Sequence, residues 1–343
     1  MPNNVVSFLI RRGINAVITI ILMISMIFLL LHVVAPNPID LAKLYAPNPR
    51  ATPAELLVIA QSKGLTQPLY VQFLNYLKDV FTGNLGLDIN GTPVATEIAE
   101  YMPLTLTLVL IGQALGVIIG LYTGAISAAN RKTKTDYSIK GVYLISWAAP
   151  PFLVAVLLQI FLAYWLHLLP ASGTYNLTLY TPPASRTGIY LFDSIIAGDW
   201  PFLVDYLHHL VLPVLTIATI NFGVFTRLTR ASMVEALDKD YVKLAYTKGL
   251  KKREVVYGTA FRNALIPVIT LIAIYFGLSV GGAVIVEDVF DYHGLGWFTV
   301  NAVSNLNYPA ILGITILFGV GVIVANLVAD LLYGVADPRV RLS

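Results

Sequence analysis

The chain contains no cysteine. Disulfides, thiolate catalysis and cysteine-ligated metals are therefore excluded. Charge is also scarce. Asp, Glu, Lys and Arg make up 12% of the 343 residues, against 57% hydrophobic ones; a soluble domain carries about 25% charge. The composition is that of an integral membrane protein, and the expected fold class is all-α. There is no His-Glu-x-x-His helix of a zinc protease, and no glycine-lysine loop to hold nucleotide phosphates. The apolar stretches carry no ladder of carboxylates for proton coupling, and no internal repeat is evident. These absences point to a non-catalytic conduit that depends on a partner for energy. A gradient-driven secondary transporter or channel is the alternative.

Six stretches lack charge for the roughly 20 residues a bilayer crossing needs: Ile14–Val34, Leu104–Ala129, Gly141–Trp165, Leu207–Thr226, Ala264–Val286 and Tyr308–Ala329. Lys and Arg are distributed unevenly between the loops. With the N-terminus inside, 17 of the 22 fall on the inner side, nine of them between Arg227 and Arg262. The positive-inside rule places both termini in the cytoplasm. No cleavable signal peptide is expected, because the apolar run after Arg11-Arg12 is too long and lacks a small-x-small site.

The chain divides into a first span (1–34), an outer helical subdomain (35–102) and a five-span core (103–343). In the subdomain, Thr52-Pro53-Ala54-Glu55 is a capping box with proline at the first helical position, and Gly64 is a stop. Pro68 opens a second helix, ended by Gly83, with Leu69, Phe73, Leu77 and Phe81 on one face. The subdomain is either packing alone or a landing site for a partner. Asn90-Gly91-Thr92 and Asn176-Leu177-Thr178 are glycosylation sequons in stretches expected outside.

Gly112, Gly116, Gly120 and Gly124 recur every fourth residue and form a flat face for close helix approach. Packing within the chain is the expected use, a dimer seam the other. Pro150-Pro151 must bend or break the third span. His208 and His209 point apart on a helix, so they are expected to sit at the interface rather than bind metal.

The longest charged run lies between the fourth and fifth spans, within a loop 228–263. Asp238 or Asp240 can cap a short helix, on which Tyr241, Leu244, Ala245 and Lys248 share a semi-apolar face. Gly249 stops it, and a second helical stretch runs past Asn263 to Pro267. Such a basic hairpin is either a solvated, headgroup-bound loop or a peg that inserts into a soluble partner. After the fifth span come Glu287, Asp288, Asp291 and His293, with Gly294 and Gly296. This cluster can bind a cation; a solvated rim or a polar partner contact is the commoner role. Asp330, near the inner end of the last span, is expected to pair with a basic residue.

Several motifs spread over almost the whole chain carry a family resemblance. They are Gly64-Leu-Thr-Gln-Pro68 with Gln72–Leu77, Thr82–Gly86, Pro103–Leu106, His209–Pro213, and Asp240-Tyr241 through Gly249-Leu250 to Arg262–Pro267. Glu287–Phe290, Gly294–Gly296, Asp330–Gly334 and Asp337–Arg341 complete the set. Together they resemble the B-type transmembrane permease subunit of oligopeptide/dipeptide-family ABC importers. The resemblance implies six spans and a homologous second permease. It also implies two cytoplasmic ATPase subunits, which carry ATP and Mg, and a substrate-binding protein outside. No cofactor on this chain and no nucleic-acid partner are implied.

By the same resemblance, Asp240, Tyr241, Lys243, Leu244, Ala245, Lys248, Gly249 and Leu250 couple to an ATPase, Ala245 and Gly249 foremost. Glu287, Asp288, Asp291 and His293 would contact the binding protein or a gate. The sequence departs from the family pattern in three places. Lys243-Leu244-Ala245 stands for Glu-Ala-Ala, Thr259 for a frequent histidine, and Pro36-Asn37-Pro38 for Pro-Gly-Asp-Pro. Members of this branch import peptides, nickel or oligosaccharides.

Overall fold

The computed structural model describes residues 2–46, 48 and 50–336. The tail Asp337–Arg341 and the side chain of Asp330 lie outside the described residues. The fold is helical; among the described residues the only extended pairing is an isolated bridge between Leu87 and Pro93. In chain order the helices are α1 (Pro2–Val34), α2 (Pro38–Tyr45), α3 (Pro53–Ser62), α4 (Leu69–Phe81) and α5 (Val94–Ala129). Then come α6 (Lys134–Ala148), α7 (Pro151–Leu158), α8 (Tyr190–Ala197), α9 (Trp200–Leu237), α10 (Asp240–Thr247) and α11 (Lys252–Glu254). The last four are α12 (Phe261–Gly282), α13 (Val284–Val289), α14 (Leu295–Ser304) and α15 (Tyr308–Ala336). Two π-helical stretches, Gln159–Trp165 and Val255–Ala260, extend α7 and lead into α12.

Helices α5 and α9 form the spine. The glycine stripe is their seam. A Cβ on Gly112 would lie 2.8 Å from Ile217, one on Gly116 3.1 Å from the Ala218 carbonyl, and one on Gly124 2.6 Å from Thr229. A Cβ on Gly120 would run into Phe225. The partner numbers rise with the glycine numbers, so the two helices run parallel. The stripe is used within the chain. Polar pairs lie along the same seam: Asn221 donates to Gln113 at 2.7 Å, and Thr123 bonds Thr226 at 2.7 Å.

Because α5 and α9 are parallel, the chain between them must return to its starting end. Helices α6 and α7 make this return, bent by 108° at Pro150-Pro151. The proline pair supplies the break, since neither residue offers a backbone donor. Among the described residues, four single helices are long and apolar enough to cross a membrane, and two bent pairs raise the number to six if each pair counts as one span. Real helices overrun the expected limits. The fourth apolar stretch sits within the 38-residue α9, whose start is capped by Asp199, accepting from the Phe202 N–H at 3.1 Å. The fifth ends at Gly282, and α13 follows as a separate turn. Gly277-Leu-Ser-Val-Gly281 has the spacing of a hydrolase nucleophile elbow, but it lies inside α12 rather than at a strand-to-helix turn.

Helices α2 to α4 form a small unit with its own core of Leu41, Ala42, Leu44, Leu56, Ala60 and Leu65, seated on Leu31 of α1. The Thr52–Glu55 capping box is formed reciprocally, with 2.7 and 3.4 Å bonds. Gly64 adopts φ +65° and Gly83 φ +76° as helix stops. His32 of α1 bonds the Gln72 side chain at 3.0 Å, and the Gln72 amide donates to the carbonyls of Leu65 and Gln67. That arrangement accounts for glutamine at 72 and ties the unit to α1. The expected single face of α4 is corrected. Phe73 packs on Phe28 at 5.3 Å, whereas Leu69 and Phe81 are exposed. A four-residue step advances about 40° beyond a full turn, so positions twelve apart diverge.

The loops before α9 are ordered by carboxylates. Asp193 is buried; its carboxyl accepts from the backbone of Arg186, Thr187 and Gly188 and from the Thr187 hydroxyl. Burial opposes its ionisation, but these donors hold it below the usual carboxylate range. Asp205 accepts from the Asn176 N–H at 2.7 Å and lies 3.5 Å from His209. His208 bonds the Leu168 carbonyl.

Candidate functional sites at the two ends of the helical spine

At the C-terminal ends of α5 and α9 sits α10. Its N-cap is Lys239, with no side-chain cap bond, so neither Asp238 nor Asp240 caps it. The chain turns one residue later than the carboxylates suggest: Asp238 still belongs to the end of α9, and Asp240 is already helical. Asp240 instead accepts from Lys243 at 2.8 Å, and that ammonium lowers its carboxyl. Both groups are fully solvated, so the pair adds little to stability.

The expected semi-apolar face also divides. Val242 and Ala245 point inward, joining Ala125 and Ala128 of α5, Met233 and Ala236 of α9, and Val255, Val256 and Ala260 of the π-helical stretch. Small side chains on every wall let α10 lie close against three elements at once. Tyr241, Leu244, Lys248 and Leu250 face out, with Leu244 55% exposed. Gly249 adopts φ +81°, and nothing lies within 4 Å of where its Cβ would be. The turn therefore requires glycine for its backbone, not for space. Beyond it, Glu254 accepts from the Lys251 N–H at 2.9 Å and starts α11.

Beside this seat lies a charge network that the sequence did not reveal. Asp136, at the start of α6, is 0% exposed. It accepts from Arg230 of α9, Ser127 of α5 and the Lys132 N–H, with Lys140 3.0 Å away. The order of chain elements hides it: Asp136 and Arg230 are 94 residues apart.

At the opposite end, the residues of the Glu287–His293 cluster do not converge on a common point for a cation. Glu287 is not part of a solvated rim; it is fully buried. Its carboxylate sits on the N-terminus of α14, accepting from the N–H of Gly296 at 2.6 Å and of Trp297 at 3.2 Å. Thr105 of α5 donates to it at 2.7 Å and in turn accepts from the Leu295 N–H at 2.7 Å. Burial pushes the Glu287 carboxyl up, to about 7, against the pull of these donors. Glycine is required at 294 and 296, since a Cβ at either would collide with the carboxylate. Thus the acid at 287 and the Gly-Leu-Gly at 294–296 form one structural unit.

Asp291 and His293 serve the same helix. Asp291, at φ +48°, accepts from the Trp297 indole N–H at 2.9 Å. The His293 ring lies 4.3 Å from the Trp297 ring. Asp288 is exposed. Three of the four sequence candidates therefore hold Trp297, a residue that sequence reasoning passed over although it directly follows the glycine pair. Tyr292, behind them, donates to the Leu104 carbonyl and bonds Tyr206 at 3.0 Å, closing the core at this end.

Residues 116–342 match the family described as binding-protein-dependent transport system inner membrane component. Residues 5–109 match the N-terminal model of the same transport-system components. The probable D,D-dipeptide transport system permease protein DdpB of Escherichia coli is 35% identical over 91% of this chain and 91% of its own. The dipeptide transport system permease protein DppB of Alkalihalophilus pseudofirmus is 32% identical over 98% and 99% of the two chains. The oligopeptide transport system permease protein AppB of Bacillus subtilis is 32% identical over 98% and 99%. The chain belongs to the family of binding-protein-dependent transport system inner membrane components.

Proposed function

We propose that this chain is the permease subunit of an ATP-driven peptide importer. It crosses the cell membrane six times, with both termini in the cytoplasm, and forms the path together with a homologous second permease. Two cytoplasmic ATPases bind and hydrolyse ATP with Mg; this chain carries no cofactor and no catalytic residue. A substrate-binding protein delivers cargo from outside, and the α2–α4 unit lies on that side. Peptide is the cargo class because the relatives are named as dipeptide and oligopeptide permeases. The bias of Lys and Arg supports the orientation. The parallel course of α5 and α9 supports counting α6 and α7 as one return crossing.

One observation carries the coupling role: α10 is seated by small inward residues while Tyr241, Leu244 and Leu250 remain exposed at the end richest in Lys and Arg. Coupling to the ATPases is assigned to Asp240, Tyr241, Lys243, Leu244, Ala245, Lys248, Gly249 and Leu250. Tyr241 and Leu244 form the outer contact, Ala245 the inner seat and Gly249 the fixed angle. The ATPases draw the α10 segments of the two permeases together, and the spine transmits that movement. Glu287, Asp291 and His293 act on the outer face by holding Trp297, with Asp288 exposed beside them.

The test is reconstitution of the full complex in liposomes. Uptake of a labelled dipeptide should require ATP on the α10 side and the binding protein on the other. Uptake driven by a proton or sodium gradient alone would overturn the proposal in favour of a secondary transporter.

A further inference from the structure

Trp297 lines one wall of a pocket of about 140 Å³ between the Asp88–Asn90 turn, the first turns of α5, and α14. Tyr101 and Phe298 stack at 5.0 Å and 27°, with Trp297 5.9 Å from Tyr101, so the wall is aromatic. The amides of Asn301 and Asn305 also line it. Two carboxylates face the same space. Asp88 is 1% exposed and already satisfied, accepting from the Asn90 N–H, the Asn90 side chain and the Thr92 N–H. Glu97 is less well satisfied: its carboxyl faces Asp88, with which it can share a proton, and its Oε2 is shut off from solvent with no other hydrogen-bond partner.

A carboxylate oxygen is acceptor-only when ionised, and one removed from water calls for a donor. Asp88 and Glu97 can share one proton, but once Glu97 ionises the two charges repel, and a cation between them and the aromatic wall relieves that repulsion. The walls meet the other requirement of an organic cation, since the faces of Trp and Tyr attract ammonium and guanidinium groups. A bare metal ion fits poorly, because among the described residues no group of three metal-binding side chains exists. The pocket is also larger than a single ion needs.

We propose that this pocket binds an organic cation, an alkylammonium or guanidinium group, with Glu97 as its carboxylate and Trp297 and Tyr101 as its aromatic wall. The three residues that hold Trp297 thereby acquire a purpose beyond ordering the start of α14: they set the wall of a binding site. The same chemistry is carried by the amino terminus of a short peptide and by a basic side chain within one. The site stands independently of the transport reading, because binding is read on the chain without nucleotide.

The chain has four tryptophans. Replacing Trp147, Trp165 and Trp200 with Phe leaves Trp297 as the only reporter. The full chain in nanodiscs is titrated with n-butylammonium chloride, against NaCl at equal ionic strength and 1-butanol. A saturable change in Trp297 fluorescence with butylammonium alone is expected, and Glu97→Gln should weaken it at least tenfold. No saturable change, or equal affinity in E97Q, overturns the proposal. A second readout leaves Glu97 intact: butylammonium, and not 1-butanol, should raise the melting temperature of the unsubstituted chain, and no rise counts against the site. Ala-Ala against N-acetyl-Ala-Ala, and N-acetyl-lysine amide against its doubly acetylated form, separate an amino terminus from a side chain as the source. Binding by neither charged member overturns the proposal.

Discussion

Arg230 grips Asp136 with a two-pronged bond, Nε to Oδ1 at 2.8 Å and Nη2 to Oδ2 at 3.0 Å, and no part of Asp136 reaches solvent. The fork joins the end of α9 to the start of α6, and Ser127 brings in α5 at 2.6 Å. The two helices of the spine and α6 thus meet on one carboxylate beside the α10 seat. A planar guanidinium suits this task because it fixes orientation as well as distance.

Asp136→Ala should cost about 3 kcal/mol, because it strands Arg230 among packed helices. The measurement is thermal unfolding of the purified chain in nanodiscs. The paired change Asp136→Leu with Arg230→Met should recover most of the loss, since apolar replacement of a buried ion pair is often close to neutral. A double variant no better than the single one would show that the charges themselves are needed.

Gly116→Leu and Gly120→Leu should each destabilise by at least about 1–3 kcal/mol, the usual range for overpacking. The obstacle at Gly116 is the backbone of Ala218, 3.1 Å from the added carbon, which cannot swing aside. Gly141→Ala is the control, with nothing within 4 Å, and should be neutral or slightly stabilising. Monodispersity and melting temperature in detergent read the difference.

How much of this was legible in the sequence follows from the distance over which each feature is encoded. The Thr52–Glu55 box, the stops at Gly64 and Gly249, the break at Pro150-Pro151 and the glycine stripe are written within a turn or two of chain. Periodicity and residue type reveal such features directly. The Asp136–Arg230 fork and the Glu287–Thr105 bond join positions 94 and 182 residues apart, and no local pattern announces them. The Glu287 cluster was visible as an acidic group with histidine. Its purpose was not, because the object it holds is the backbone of α14 and the ring of Trp297. The α10 face was half legible: the short helix and its glycine stop were clear, whereas the inward turn of Ala245 depends on where α5 and α9 end.

Glu287 gives the chain a pH dependence near neutrality. Its carboxyl is raised from 4.5 to about 7 on folding, so the folded state holds the proton more tightly than the unfolded one. The contribution is therefore fully present below the unfolded value and is lost as pH rises through about 7. At about 1.4 kcal/mol per pH unit, the change is on the order of 3 kcal/mol at most. Melting temperature should fall between pH 5 and 8, and Glu287→Gln should reduce that slope, the remainder coming from Glu97, which is raised to about 7 as well. An identical slope in the variant would remove Glu287 as the titrating group.

Gly249→Val should cost about 1–2 kcal/mol locally, from the left-handed backbone alone. The chain should still fold, because no neighbour opposes the side chain. Within the importer reading, the altered angle between α10 and α11 should leave ATP hydrolysis running while peptide uptake is lost. Gly258→Ala, also without neighbours within 4 Å but without a positive φ, should keep uptake. Normal uptake in the Gly249→Val complex would remove the glycine from the coupling role.

The central claim is that the exposed side of α10 enters an ATPase subunit. The absence of cysteine makes it testable by single substitutions. Tyr241→Cys, Leu244→Cys and Ala245→Cys chains are assembled with an otherwise cysteine-free ATPase that carries one cysteine in turn along its docking groove, and oxidised. Tyr241→Cys and Leu244→Cys should cross-link, and Ala245→Cys, whose parent side chain is 6% exposed, should cross-link far less. No cross-link from Tyr241→Cys or Leu244→Cys at any groove position, in a complex that still assembles, would contradict the account.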